Sequence, residues 1–133
     1  MSQESVKLVR RGMEALNQRD ADRWLRDAAP EIEWIPVGPA AIERPVYRGH
    51  DEVASGLASL WQTWDVFSFQ ESDVRDVDDA VVWLGRAKLR GRASQVELDQ
   101  DFALHFLVHD GRFIRVHAFL TWTDALKAVG LRE

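Results

Sequence analysis

The sequence predicts an α+β domain in which helices come first and an antiparallel meander follows. Three observations carry this. Apolar residues recur at helical spacing up to about residue 64, the pattern then changes to long alternating runs, and an Asp-Gly pair at 110–111 sits between two such runs. In the first segment, 5–18, Val6, Val9, Met13 and Leu16 form one helical stripe. Asp20 is placed to cap a second helix, 21–28, which carries Trp24, Leu25 and Ala28 inward, and Pro30 ends it. PEIEWIP then alternates Ile32 and Trp34 against Glu31 and Glu33, a short strand with its glutamates toward water. Residues 36–49 hold three of the four prolines and read as a loop. A third helix, about 50–64, carries Val53, Leu57, Leu60, Trp61 and Trp64. Strands are expected at 66–77, 80–93, 96–109 and 112–122, and a last short helix capped by Thr123 and stopped by Gly130.

The chain has 133 residues, a length that predicts one domain, 1–133, with a substantial core. It is 46% hydrophobic and 29% charged, a globular rather than a disordered balance. With no cysteine, neither disulfides nor thiolate metal sites are available. A net charge of −5 without a basic block argues against nucleic acid as a partner. The start, MSQESVKLVRRG, lacks the apolar core of a signal peptide and no run reaches membrane-spanning length. No membrane partner is expected, and the cytoplasm is the expected compartment. No cofactor is indicated. Six tryptophans suit a core or the wall of an apolar pocket.

Three of the four histidines lie in FALHFLVHDGRFIRVHAF, residues 102–119. With Asp110-Gly111 as a two-residue turn, paired residues sum to 221. His105 then faces Val116 and His117 faces Leu104, so the two histidines point to opposite sides of the sheet. His109 pairs with Arg112 at the tip. A metal site cannot be built from this trio without a bulge, and none is expected. The preceding hairpin, with Ser94-Gln95 as its turn, pairs Glu97 with Arg92, Asp99 with Arg90 and Asp101 with Lys88, three opposite charges in one register. The outer two rungs read as a solvated salt ladder.

The YRGHDEV stretch leading into the third helix (47–53), the HDGRFIRV hairpin (109–116) and the closing DALKAVGL (124–131) together resemble the SnoaL-like branch of the nuclear-transport-factor-2-like superfamily, over essentially the whole chain. The resemblance implies a cone: a strongly curved sheet around a pocket closed by three N-terminal helices. Members include polyketide cyclases, ketosteroid isomerases, limonene-epoxide hydrolases and pockets with no known ligand, so fold alone does not assign a reaction. The isomerase's general-base aspartate falls on Ile35, its oxyanion tyrosine near Gly12 and its oxyanion aspartic acid on Ala103. The epoxide hydrolase's arginine falls on Arg86, but its aspartates fall on Lys88 and Ala118. Neither set is inherited.

Both relatives place the face carrying residues 103, 105, 116, 118 and 120 in the pocket. This implies His105 as its main titratable group, with Arg86 and Asp101 as further catalytic candidates and His117 as the alternative if the faces are exchanged. Trp34, Tyr47, Trp61, Leu84, Lys88, Ala103, Val116, Ala118 and Leu120 are the expected wall and ligand contacts. Arg86 and Lys88 together would suit an anionic group, or merely pair with their acidic neighbours. The opposite face is the more apolar one. A homodimer burying Phe102, Leu104, Phe106, Phe113 and Phe119 accounts for that. Three functions stay open: an acid/base enzyme such as an isomerase, cyclase, dehydratase or hydrolase acting on a small apolar substrate, a non-catalytic protein that binds such a molecule, and a dimeric interaction domain.

Overall fold

A computed structural model describes residues 2–130. Helix α1 (Ser2–Asn17) is followed by α2 (Ala21–Arg26), strand β1 (Ala28–Ile35), α3 (Pro39–Glu43), β2 (Tyr47–Arg48) and α4 (Gly49–Thr63). Four strands then run in succession, β3 (Trp64–Val77), β4 (Ala80–Gly91), β5 (Glu97–His109) and β6 (Arg112–Phe119), before α5 (Trp122–Ala128). The six strands make one curved, unclosed sheet in the order β2-β1-β6-β5-β4-β3. Every neighbouring pair is antiparallel except β1 and β6. A parallel pair needs a long crossover, and the chain between β1 and β6 supplies one.

Helices α1, α2 and α4 cover the concave side. The expected stripe of α1 is buried at Val9, Met13 and Leu16. A Schellman-type end closes α1, with Asp20 N–H donating to Ala15 O at 2.9 Å and Arg19 N–H to Leu16 O at 3.1 Å. Arg19 therefore takes the left-handed conformation, φ 56°, unusual for a residue with a side chain. Its guanidinium donates to the carbonyls of Trp61, Trp64 and Asp65 at 3.0 to 3.1 Å, so the turn after α1 also caps the end of α4. The Asp20 carboxylate accepts from Arg23 N–H at 3.1 Å, the cap expected for α2. Gly56 on α4 packs so tightly that an added Cβ would lie 2.7 Å from Trp34 Cζ3 and 2.8 Å from Tyr47 Cε2. On the convex side α5 packs over Val82, Leu84 and Ala103.

Several expectations need correction. The proline-rich stretch 36–49 is not only loop, since α3 and β2 lie within it. The cap of α5 is Thr121, whose hydroxyl accepts from Asp124 N–H at 3.1 Å, rather than Thr123, because β6 ends at Phe119 and the helix starts at Trp122. Gly130 does take the stop conformation, φ 75°; Leu131, the last residue of DALKAVGL, lies outside the described residues.

The β4–β5 hairpin is slipped by two residues from the expected register and pairs Arg90 with Glu97, Lys88 with Asp99 and Arg86 with Asp101. A slip of two keeps every side chain on its face. The β5–β6 hairpin differs in a way that does not. Asp110 and Gly111 make the turn, with φ of 51° and 73°, and His109↔Arg112 and Val108↔Phe113 pair as expected. Leu107 then pairs with Arg115, leaving Ile114 as an extra residue, a β-bulge. Beyond it His105 pairs with His117 and Leu104 with Ala118. The two histidines therefore share a face, and Phe102, Leu104, Phe106 and Phe113 belong with Val116, Ala118 and Leu120 rather than opposite them. Leu104, Phe106 and Phe113 are buried in the main core of the chain, and Phe102 is packed against it. They are not available as the surface expected to seat a second copy.

Candidate functional site

The concave side encloses a cavity of about 280 Å³, near the lower end of the roughly 300–1,000 Å³ usual for small-molecule sites. Leu16 of α1, Trp24 of α2 and Val53, Leu57 and Leu60 of α4 make the helical wall. Trp34 of β1, with Pro36 and Val37 after it, closes one side. The sheet supplies Trp64, Phe67 and Phe69 from β3, Ala87 and Leu89 from β4, Leu98, Gln100, Phe102 and Leu104 from β5, and Val116 and Ala118 from β6. Gly38, Pro39, Leu98 and Leu120 also line it and are exposed, which places its opening between the start of α3 and the ends of β5 and β6.

The aromatic wall is held by a second layer. Tyr47 stacks behind Trp34 with ring centroids 4.8 Å apart, and its hydroxyl donates to Ala40 O of α3 at 3.1 Å. Phe69 stacks on Phe102 at 4.9 Å and meets Phe67 edge-on at 4.8 Å. Such pairs add to area burial and hold ring orientation. Among the described residues lining this cavity, none carries a carboxylate, an imidazole, an amine or a guanidinium.

Of the expected wall, Trp34, Val116, Ala118 and Leu120 line the cavity. Tyr47 stands one layer behind, and Trp61 packs against the main core without reaching the cavity wall. Leu84 and Ala103 lie on the convex side beneath α5. Lys88 is exposed, on the same side by strand alternation. The three catalytic candidates are also on the convex side. Arg86 donates to Asp99 at 2.9 Å and to Asp101 at 2.8 Å, an exposed ion-pair cluster. His105 stands beside His117, which stacks on Phe119 with centroids 4.3 Å apart. Burial holds the His105 imidazole below its ordinary pKa, and the neighbouring His117 adds to the depression. His117 is lowered by burial and then by Arg115. The sheet itself separates all of these groups from the cavity. No group of three or more metal-ligating side chains occurs among the described residues.

Sequence reasoning missed most of the lining residues, Leu16, Trp24, Phe69 and Phe102 among them, and Gln100 is the one of these with a carboxamide. It was legible as the one polar position in the stripe Leu98, Gln100, Phe102, Leu104, Phe106, had that stripe been turned inward.

Comparison with known proteins agrees with this architecture. An NTF2-like protein of unknown function from Burkholderia pseudomallei K96243 superposes with a TM-score of 0.80 at 16% identity, covering 96% of this chain and 98% of its own. A putative SnoaL-like polyketide cyclase from Jannaschia sp. CCS1 gives 0.79 at 16% identity, with 99% and 95% covered. TerC, co-crystallised with polyporic acid, gives 0.76 at 18% identity, with 95% and 97% covered. At these identities the likeness is one of fold. No curated protein matches the chain. Residues 9–116 match the SnoaL-like domain family, and a match over that much of a chain with this sheet, these helices and this cavity identifies it as a member of the SnoaL-like family.

Proposed function

We propose that this protein binds a small, uncharged, largely apolar molecule in the concave cavity and does not itself perform acid/base chemistry on it. One observation carries the reading: among the described residues, the cavity wall, built from tryptophan, phenylalanine and aliphatic side chains with Gln100, holds no ionisable group. A general acid or base must come within about 2.6–3.2 Å of the proton it moves, directly or through one water. His105, Arg86 and Asp101 are on the other side of the sheet and do not meet that condition. A charged ligand would lose its hydration without gaining a counter-charge, a cost of several kcal/mol or more. An apolar one gains about 25 cal/mol for each Å² it removes from water. The co-crystallisation of TerC with polyporic acid is in keeping with a small organic occupant.

The test uses N-phenyl-1-naphthylamine, a neutral fluorescent probe, titrated against the intact chain. Saturable binding is expected, with quenching of tryptophan emission because Trp24, Trp34 and Trp64 line the space. Ala118→Phe, which fills the cavity from the sheet side, should weaken the probe at least tenfold. Binding that survives this substitution unchanged, or no binding at all, overturns the reading.

A further inference from the structure

We infer that Gln100 selects the ligand, and that the ligand class is a neutral, ring-containing molecule bearing one hydroxyl or carbonyl oxygen at the end nearest the opening. This rests on the binding role proposed above and deepens it. Apart from the indole N–H groups of its tryptophans, the wall offers, among the described residues, one polar side chain, Gln100. No hydrogen bond within the described residues occupies its carboxamide, and the residue is only half-buried, so solvent can reach it.

Its position gives the ligand a direction. Gln100 lies two residues along β5 from Leu98 at the opening, about 7 Å inward, and two residues before Phe102, which stacks on Phe69 deeper in the wall. A molecule entering apolar end first fills the deep part against Trp24 and Leu16 and brings its trailing end beside the carboxamide. A carboxamide both donates and accepts, so a ketone and a phenol or alcohol are equally served. A carboxylate or an ammonium finds no counter-charge in the wall and is rejected. A hydrocarbon of the same shape displaces the water on Gln100 without replacing its hydrogen bond. The preference for the oxygenated molecule is therefore the net worth of one hydrogen bond, about 3- to 10-fold in affinity.

The experiment compares 2-naphthol, naphthalene and 2-naphthoate at neutral pH, each displacing N-phenyl-1-naphthylamine from the native chain and from the Gln100→Leu variant. Native protein should prefer 2-naphthol over naphthalene by about 3- to 10-fold and bind 2-naphthoate weakest. In Gln100→Leu the preference for 2-naphthol should vanish while naphthalene binds as well or better. Gln100→Met, which keeps the length of the side chain, should behave likewise and guards against a folding defect in one variant. If the probe binds and Ala118→Phe blocks it, but the naphthol preference is absent or survives both substitutions, the assignment of Gln100 fails while the binding role stands. If the probe does not bind, both fail.

Discussion

The two faces of the one sheet are built from the same strands and differ in kind. Along β5 the concave residues are Leu98, Gln100, Phe102, Leu104 and Phe106, and the convex ones are Asp99, Asp101, Ala103, His105 and Leu107. The concave side encloses a cavity that no charged side chain lines among the described residues, whereas the convex side holds the Arg86–Asp99–Asp101 cluster and the His105–His117 pair. The residues that look most reactive in the sequence are thus separated from the cavity by one layer of backbone. A strand residue's chemistry reaches a ligand only if its parity puts it there. In this chain one extra residue, Ile114, sets the relative parity of β5 and β6.

The largest expected effect contrasts the residues that flank the bulge. Phe113 is fully buried against Phe106, at 5.0 Å, and Trp24, at 5.6 Å. Phe113→Ala should cost about 3–5 kcal/mol of unfolding free energy. Arg115→Ala, on the exposed side and ion-paired with Glu33, should cost a small fraction of that. Urea denaturation of the two variants decides it; comparable losses would mean that the bulge does not separate the faces as described.

A middle-sized effect tests the cavity wall. Gly56→Ala gains about 1 kcal/mol of helix propensity. It also drives a methyl group into the Trp34–Tyr47 stack, an overpacking that costs about 1–3 kcal/mol. A net loss of about 1 kcal/mol is expected, together with weaker probe binding as Trp34 moves. Increased stability with unchanged binding would show that α4 yields without disturbing the wall.

The smallest effect belongs to the convex face and depends on pH. His105 and His117 are both held below their ordinary value in the folded protein and return to about 6.5 when it unfolds. Between the lowered values and 6.5 the unfolded chain binds more protons. Stability is therefore complete above about pH 6.5 and declines as the pH falls through it. Arg115 reinforces the depression of His105, and Asp79 opposes it. Melting curves from pH 7.5 to 5.5 should show this decline, and a His105→Gln, His117→Gln double variant should flatten it. Asp65, held low mainly by its hydrogen bond from Arg90, loses its contribution only below about pH 4 and does not interfere. An identical slope in the double variant would exclude the pair as the cause.

The sequence by itself determined the α+β class, the helices-then-meander order apart from α3 and β2, the Asp20 cap and the Asp110-Gly111 turn, because each rests on short-range chemistry, and the resemblance of three separated motifs gave the family. Helical stripes, a capping carboxylate and a two-residue turn depend on neighbours a few positions away. A small part of the cavity wall was legible too, through Trp34, Val116, Ala118 and Leu120. What only the tertiary structure decided was the parity of β5 against β6. In Phe113-Ile114-Arg115-Val116 the apolar residues leave room for an extra residue at more than one position, and alternation alone reads straight through it. The choice is made by packing. With the bulge at Ile114, Phe113 reaches Trp24 and Phe106 while Val116, Ala118 and Leu120 still face the cavity. Because side chains alternate with a period of two, that single displaced residue carries His105 out of the pocket and turns Gln100 into it.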